Sequence, residues 1–218
     1  MPLPLIPIAI ALAGVAAFGG VAFVITMFGK KLAGQRVAIL GRQQVGKTSL
    51  LHFLREGRVP ARSWNTVDPV QGGKFAMEIG GKTVHFDVPK DLPGNDGLGF
   101  ADWKEAFAGA DYVWYLFRSD LIAQGDSSEI DMVKEHLDMF KEWMSAGKPT
   151  CPKVILIGTW ADKDPGFQQD SGKFKLDVGS ASPIKIGAVK LNHAGLVVGG
   201  LLTDKDAITL VKSLGRHL

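Results

Sequence analysis

One short segment constrains this chain more than any other. Residues 41–48 read GRQQVGKT, which fits the pattern G-x-x-x-x-G-K-[ST]. A β-branched apolar run from Arg36 to Leu40 leads directly into it and predicts a buried strand, and leucines at helical spacing follow it and predict a helix. This order places backbone N–H groups and the positive end of a helix around one anion. The segment therefore predicts a phosphate-binding loop in an α/β fold.

Each residue type in this loop has a chemical reason. Glycine at both ends lets the backbone turn tightly enough for successive N–H groups to face phosphate oxygens. The lysine ammonium would reach the β- and γ-phosphates of a nucleotide, and the threonine hydroxyl would ligate Mg²⁺. The predicted nucleotide-binding residues of the loop are Gly41, Gln44, Val45, Gly46, Lys47, Thr48 and Ser49.

The amino-terminal part of the chain carries no charged side chain before Lys30. The stretch from Ile8 to Phe28 is almost entirely apolar, and as a helix it would be about 31 Å long, which matches the hydrocarbon core of a bilayer. We therefore predict one transmembrane helix ahead of the α/β domain. A cleaved signal peptide is the alternative, but it requires a basic amino-terminal region and a shorter apolar core.

Basic residues follow this span, and the positive-inside rule then places the rest of the chain on the cytoplasmic side of the membrane. The predicted organisation is a membrane anchor over residues 1–29, a short basic linker over 30–35 and a nucleotide-binding domain over 36–218. Membrane lipid is the partner expected for the anchor. Small residues along the span would also let two such helices pair as a homodimer.

Composition excludes several other functions. The 25 basic and 22 acidic side chains leave a formal net charge of +3, which is too small to predict nucleic acid as a partner. A single cysteine excludes a disulfide framework and a thiolate zinc site. The five histidines show no spacing typical of metal ligands.

Residues 36–218 resemble the small GTPases of the Ras and Arf kind. The resemblance rests on the phosphate loop, on Thr66 in the position of the switch threonine, on a hairpin that ends at Asp87, and on the segment from Thr159 to Asp162 that follows an apolar strand. It implies a doubly wound, mostly parallel sheet with the nucleotide at the carboxyl ends of the strands. GTP or GDP and Mg²⁺ are the ligands that it implies.

The resemblance also assigns roles around the phosphates. The implied metal ligands are Thr48, Thr66 and Asp87, with Asp91, in Asp-Leu-Pro-Gly, as an alternative to Asp87. Neither aspartate is followed by the water-orienting glutamine of the family, which predicts slow hydrolysis. Lys47, Thr66 and Gln43 are therefore the predicted catalytic residues, with Gln43 as a substitute for the missing glutamine. Arg58 and Arg62 are candidates for an arginine that acts within the same chain.

The segment Thr159-Trp160-Ala-Asp162 stands where the family has Asn/Thr-Lys-x-Asp. The aspartate there accepts two hydrogen bonds from guanine, whereas adenine would leave its carboxylate unpaired. Trp160 replaces the lysine; an indole can stack on the base or ribose, but we expect that it does not reach back to the phosphate loop. Ala188, in a last strand predicted over 183–192, would offer its backbone N–H to the guanine oxygen.

Two further helices follow from periodicity and capping. Residues 128–146 carry an apolar stripe at helical spacing, and a final helix is predicted to begin at Thr203. The run at 195–202 predicts an extra strand or loop.

Two functions are consistent with these features. The first is a membrane-anchored GTPase switch that recruits a cytosolic protein partner through the surface around residues 66–96. The second is a nucleotide-locked docking scaffold without significant turnover. With its predicted anchor, the architecture is similar to that of the signal recognition particle receptor beta subunits, which implies a docking role.

Overall fold

A six-stranded sheet in the order β2-β3-β1-β4-β5-β6 organises the molecule. The computed structural model describes residues 20–60, 73–89, 99–146 and 151–218. The strands are β1 (Arg36–Leu40), β2 (Gly73–Ile79), β3 (Lys82–Val88), β4 (Tyr112–Arg118), β5 (Lys153–Thr159) and β6 (Gly195–Val198). The helices are α1 (20–32), α2 (Lys47–Glu56), α3 (Gly99–Gly109), α4 (Ser119–Ala123), α5 (Ser127–Ser145), α6 (Pro165–Gln169), α7 (Ser171–Ser180), α8 (Ser182–Lys190) and α9 (Asp204–Leu214).

The register of the sheet brings the predicted site together. β1 runs parallel to β3 and β4, β4 to β5, and β5 to β6, whereas β2 pairs antiparallel with β3 at the edge. Because parallel strands end at the same edge of a sheet, the loops after β1, β5 and β6 meet there. This confirms the predicted α/β fold with a mostly parallel sheet.

Helices cover both faces of the sheet. On one face, α1, α2 and α9 form an apolar cluster with side chains such as Phe53, Trp114 and Val211. On the other, α3, α5, α7 and α8 pack around Trp103 and Phe140. The predicted helix at 128–146 is confirmed as α5, and the predicted start of α9 is confirmed by the Thr203 hydroxyl, which accepts the Asp206 N–H at 3.2 Å. The core thus lies in two layers and leaves the carboxyl edge of the strands to loops.

Helix α1 changes the interpretation of the amino-terminal segment. Four of its side chains, Val24, Ile25, Phe28 and Leu32, are buried in the apolar cluster with α2 and α9, and the Phe28 ring lies 5.8 Å from the Trp114 ring. Val24, Ile25 and Phe28 of the predicted span therefore pack against the folded domain, and helix continues through 30–32, where a linker was expected.

The remainder of the predicted span, residues 8–19, lies outside the described residues. Among the residues that are described, no helix combines the length and the apolar character needed to cross a bilayer.

The strand predicted over 183–192 is wrong, because Ser182–Lys190 forms helix α8. Alternating apolar residues in PIKIGAV imitate a strand, but Pro183 lies in the first helical turn, where its missing N–H costs nothing. Ile184, Gly187 and Leu191 are buried at helical spacing. The last strand is instead β6, in the run that was predicted as an extra strand or loop.

Candidate functional site

The loop between β1 and α2 has the backbone shape that its glycines predict. Gly41 and Gly46 adopt φ values of 144° and 88°, a region that disfavours residues with a Cβ atom. A Cβ atom on Gly41 would also lie 2.5 Å from the Leu116 carbonyl oxygen. Gln44 adopts a left-handed conformation as well, with φ 62°, although it is not glycine. The loop is therefore held in a strained turn at the end of β1.

Lys47 lies at the centre of this loop, with only 8% of its surface exposed. Its ammonium donates hydrogen bonds to the carbonyl oxygens of Gly41 at 2.5 Å and Arg42 at 2.8 Å. Thr48 and Ser49 follow it in the first turn of α2, whose amino end carries the positive end of the helix dipole. One buried cation and a helix terminus thus converge where an anion would bind.

Thr159, at the end of β5, connects the phosphate loop to the sheet. Its buried hydroxyl lies 2.8 Å from the carbonyl oxygen of Val45 and 3.0 Å from that of Phe117. Its own carbonyl accepts a hydrogen bond of 2.6 Å from the Ser119 hydroxyl. The predicted base-recognition segment therefore begins in direct contact with the phosphate loop.

Asp162 follows in a short 3₁₀ turn and is half-buried. Burial raises the pKa of its carboxyl, and the Asp206 charge adds to this, while the Leu201 backbone N–H opposes it. Such a carboxylate is stabilised by a ligand that donates hydrogen bonds to it. Guanine N1–H and its 2-amino group are donors of this kind.

The loop after β6 completes the site, and sequence reasoning missed it. A Cβ atom on Gly200 would collide with the Asp162 carboxylate, and a Cβ atom on Gly46 would lie 3.1 Å from Leu201 Cδ1. Residues 199–201 therefore contact both the base-recognition segment and the phosphate loop. The available signal was the Gly-Gly pair directly after the apolar run 195–198. Ala188, predicted for this place, lies in α8 instead.

Trp160 reaches the phosphate loop, contrary to the prediction. Its indole Nε1–H donates a 2.7 Å hydrogen bond to the carbonyl oxygen of Gln44. The left-handed backbone of Trp160, with φ 61°, turns the side chain back toward this loop. The Trp160 indole therefore connects the base-recognition segment to the phosphate loop through a hydrogen bond.

Asp87, predicted as a magnesium ligand, lies beside Lys74. Its carboxylate lies 4.0 Å from the Lys74 ammonium, which also contacts Glu105 at 2.6 Å. The neighbouring residues Phe86 and Val88 belong to the apolar cluster on the opposite face of the sheet, the cluster that also contains α2. Burial raises the pKa of Asp87, while Lys74 lowers it. The choice between Asp87 and Asp91 as a magnesium ligand stays a prediction, because Asp91 lies outside the described residues.

Several predicted residues lie outside the described residues: Thr66, Arg62 and Asp91. Gln43 is exposed at the tip of the phosphate loop. In the described ranges, no group of three or more histidine, cysteine, aspartate or glutamate side chains is arranged to hold a metal ion. Thr48, also predicted as a magnesium ligand, lies in the first turn of α2 directly after Lys47.

Comparison with known proteins identifies the fold. No model of a protein family matches the sequence, and no curated protein sequence matches it. Among solved structures, an ADP-ribosylation factor-like GTP-binding protein, the small COPII coat GTPase SAR1 from Encephalitozoon cuniculi in complex with GDP, is similar with a TM-score of 0.58 and 16% identity; the match covers 97% of this chain and 90% of that one.

A GTP-binding protein from the archaeon Sulfolobus solfataricus in complex with GDP is also similar, with a TM-score of 0.55 and 17% identity over 84% of this chain. The present chain spans about half the length of that protein, since 50% of it is covered. The chain has the fold of these GTP-binding proteins. At such low identity this likeness establishes the fold, and the functional argument rests on the residues of the site.

Proposed function

We propose that this protein binds GTP and GDP. The observation that carries the proposal is the meeting of two loops at the carboxyl edge of the sheet: the phosphate loop with buried Lys47, and the segment after β5 with Thr159 and half-buried Asp162. A phosphate anion suits the first loop, and a base with two adjacent N–H donors suits the second. The GDP complexes of structures with the same fold support the same choice.

Mg²⁺ is part of this proposal. The Thr48 hydroxyl, in the first turn of α2, would ligate the ion, which would neutralise negative charge on the nucleotide phosphates. Thr66 and Asp87, with Asp91 as the alternative to Asp87, are the other ligands proposed for the ion.

Nucleotide binding is tested by measuring the affinity of the purified full chain for fluorescent GDP. We expect Lys47→Ala to abolish binding, because it removes the cation at the centre of the loop. Lys185→Ala changes an exposed residue of α8 and serves as the control, which should bind GDP as the parent does.

The preference for guanine is tested by competition. Unlabelled ATP that competes as strongly as GTP would contradict the proposal, and Asp162→Asn should shift the preference from guanine to xanthine nucleotides.

Hydrolysis is proposed to be slow, at or below about 10⁻⁴ s⁻¹, the order of intrinsic small-GTPase rates. Phosphoryl transfer depends on placing a water in line, and the exposed Gln43 is the remaining candidate for that task near the phosphate loop. A single-turnover assay with labelled GTP measures the rate. Rapid phosphate release without a partner would contradict the proposal of slow hydrolysis. The release rate of Gln43→Ala would then show whether the phosphate loop itself orients the water. The alternative is a docking scaffold that binds the nucleotide and does not hydrolyse it.

We further propose that the protein lies at a membrane, with its nucleotide site on the cytoplasmic side, and recruits a cytosolic protein. The segment before Lys30 carries no charged side chain, and its last part, from residue 20, belongs to α1. In α1, Phe23 and Met27 are 67% and 42% exposed, and Lys30 follows them in the same helix. Such an apolar face bordered by basic side chains suits a lipid surface. Release of the native protein by carbonate or high salt would contradict stable anchoring. Replacing residues 8–19 with a polar linker should release a protein that still binds GDP.

A further inference from the structure

Two left-handed residues from different loops meet at one hydrogen bond. Gln44 in the phosphate loop and Trp160 after β5 have φ values of 62° and 61°. For a residue with a Cβ atom this conformation costs on the order of 1 kcal/mol, so it persists where surrounding contacts hold it. The 2.7 Å bond from the Trp160 indole N–H to the Gln44 carbonyl is one such contact.

The indole is itself held in place. The Arg118 guanidinium lies 4.5 Å from the centroid of the Trp160 ring, a distance typical of cation–π contacts, and Lys163 Nζ lies 5.8 Å from it. Arg118 is oriented by the carboxylate of Asp120, which accepts hydrogen bonds from both Nε and Nη2. The Asp120 side chain is only 4% exposed, so this pair is anchored in the protein. The indole N–H is thus presented to the phosphate loop by a fixed stack.

A second connection runs from Arg118 to the same loop. The Arg118 backbone N–H donates a 2.9 Å hydrogen bond to Glu129 Oε1, and Glu129 Oε2 forms a 2.8 Å ion pair with Arg42. The Glu129 side chain is fully buried. Burial raises the pKa of this carboxyl, and the Arg118 N–H and Arg42 lower it. Positions 42 and 44 of the phosphate loop, on either side of Gln43, are therefore both connected to the end of β4.

We propose that Trp160 is a positioning residue that couples the two halves of the nucleotide site: it holds Gln44 in the conformation that presents the phosphate loop to a nucleoside diphosphate, and so makes phosphate binding depend on the base-recognition segment. This inference rests on the proposed GTP and GDP binding. The side chain acts through the Gln44 carbonyl and not through a contact with the phosphates.

If Trp160 acts in this way, it affects the binding of ligands with phosphates and not the binding of ligands without them. A nucleoside without phosphates uses the base-recognition segment and does not need the phosphate loop in its binding shape. A nucleoside diphosphate needs both, so its binding includes the free energy of keeping Gln44 left-handed. Loss of the indole N–H should therefore weaken GDP and leave guanosine unchanged.

The experiment compares GDP with guanosine as competitors of fluorescent GDP on the purified full chain. Trp160→Phe keeps an aromatic ring against Arg118 but removes the N–H, and we expect the GDP-to-guanosine affinity ratio to fall about three- to tenfold, the usual effect of one net hydrogen bond. Trp160→Lys supplies another donor and should restore the ratio. Trp143→Phe, in α5 beside Phe107 and Phe140, is the matched control and should not change it.

The ratio does not depend on the folded fraction of a sample, because both ligands compete on the same sample. An unchanged GDP-to-guanosine affinity ratio in Trp160→Phe would overturn the inference. This includes the case in which the affinities for GDP and guanosine fall equally, because Trp160 would then contact the base and have no effect on the phosphate loop. A Trp160→Lys ratio as low as that of Trp160→Phe would also overturn it. If the unaltered chain bound neither ligand, the proposed function itself would fail, an outcome distinct from these.

Discussion

Thr159 shows how one buried hydroxyl can connect three segments of a site. It carries a single proton, so it donates to the Val45 carbonyl or to the Phe117 carbonyl at any moment, at 2.8 and 3.0 Å. Its methyl group faces Gly46, where a Cβ atom would lie 3.8 Å from Thr159 Cγ2. The side chain therefore packs against the phosphate loop and also supplies its hydrogen bond.

Replacing this hydroxyl with a methyl group should separate the two roles. Thr159→Val keeps the shape but leaves two buried carbonyl groups without the donor, so we expect the free energy of unfolding to fall by about 1–2 kcal/mol. Urea unfolding measures this, and GDP affinity should fall in parallel. Thr159→Ser keeps the donor and is the control. A Thr159→Val protein as stable as the parent would show that the hydroxyl contributes nothing to the junction.

Among the elements, helix α1 carries the largest difference between expectation and structure. One side of it is buried against α2, α9 and the β2–β3 hairpin, while Phe23 and Met27 on the other side remain exposed. The sequence shows an almost entirely apolar run, in which the buried and the exposed side of the helix cannot be told apart. A helix with one face in a protein core belongs to the folded domain, whatever its other face contacts.

Two phenylalanines of α1 test this assignment. Phe28 is 3% exposed and contacts Trp114, so Phe28→Ala should lower the free energy of unfolding by about 3–4 kcal/mol through lost burial and a cavity. Phe23, at 67% exposed, is the control from the same helix, and Phe23→Ala should stay within about 0.5 kcal/mol. Chemical unfolding of the full chain gives both values. Equal effects would mean that α1 does not pack on the sheet in solution.

The stability of the molecule as a whole should depend on pH through a buried histidine between α3 and α5. His136 Nδ1 and the Tyr115 hydroxyl form a 2.9 Å hydrogen bond, and the imidazole packs against Trp103. Burial lowers its pKa from 6.5 to about 4, and the Arg42 charge adds to this. The unfolded chain takes up a proton below about pH 6.5 that the folded chain refuses until about pH 4, so stability falls as the pH drops through this range.

His136→Gln removes this titration and keeps a hydrogen-bonding side chain beside Tyr115. Between pH 7 and pH 5 the parent should lose about 2 kcal/mol more than the variant, at 1.36 kcal/mol per pKa unit. Urea unfolding at the two pH values gives the difference. The same loss in both proteins would place the pH dependence in other groups.

Features that depend on spacing over a few residues could be predicted from the sequence. The phosphate loop between a strand and a helix, the hairpin with its two-glycine turn, the stripe of α5 and the cap of α9 all follow from local periodicity, glycine conformation and side-chain capping. The fold class followed as well, because alternating strands and helices with these connections build a mostly parallel sheet. Asp162 could be placed for the same reason, directly after a buried strand.

The remaining features depend on contacts between distant segments, and local patterns carry no information on those. The register of β3 turns Asp87 toward Lys74, and a shift of one residue would turn it to the other face. The left-handed backbone of Trp160 brings its indole to Gln44 across 116 positions of sequence. α8 imitates a strand by alternation, and its packing on α5 outweighs that pattern. The loop after β6 joins the site because β6 pairs beside β5, which makes two segments far apart in sequence end at one edge of the sheet.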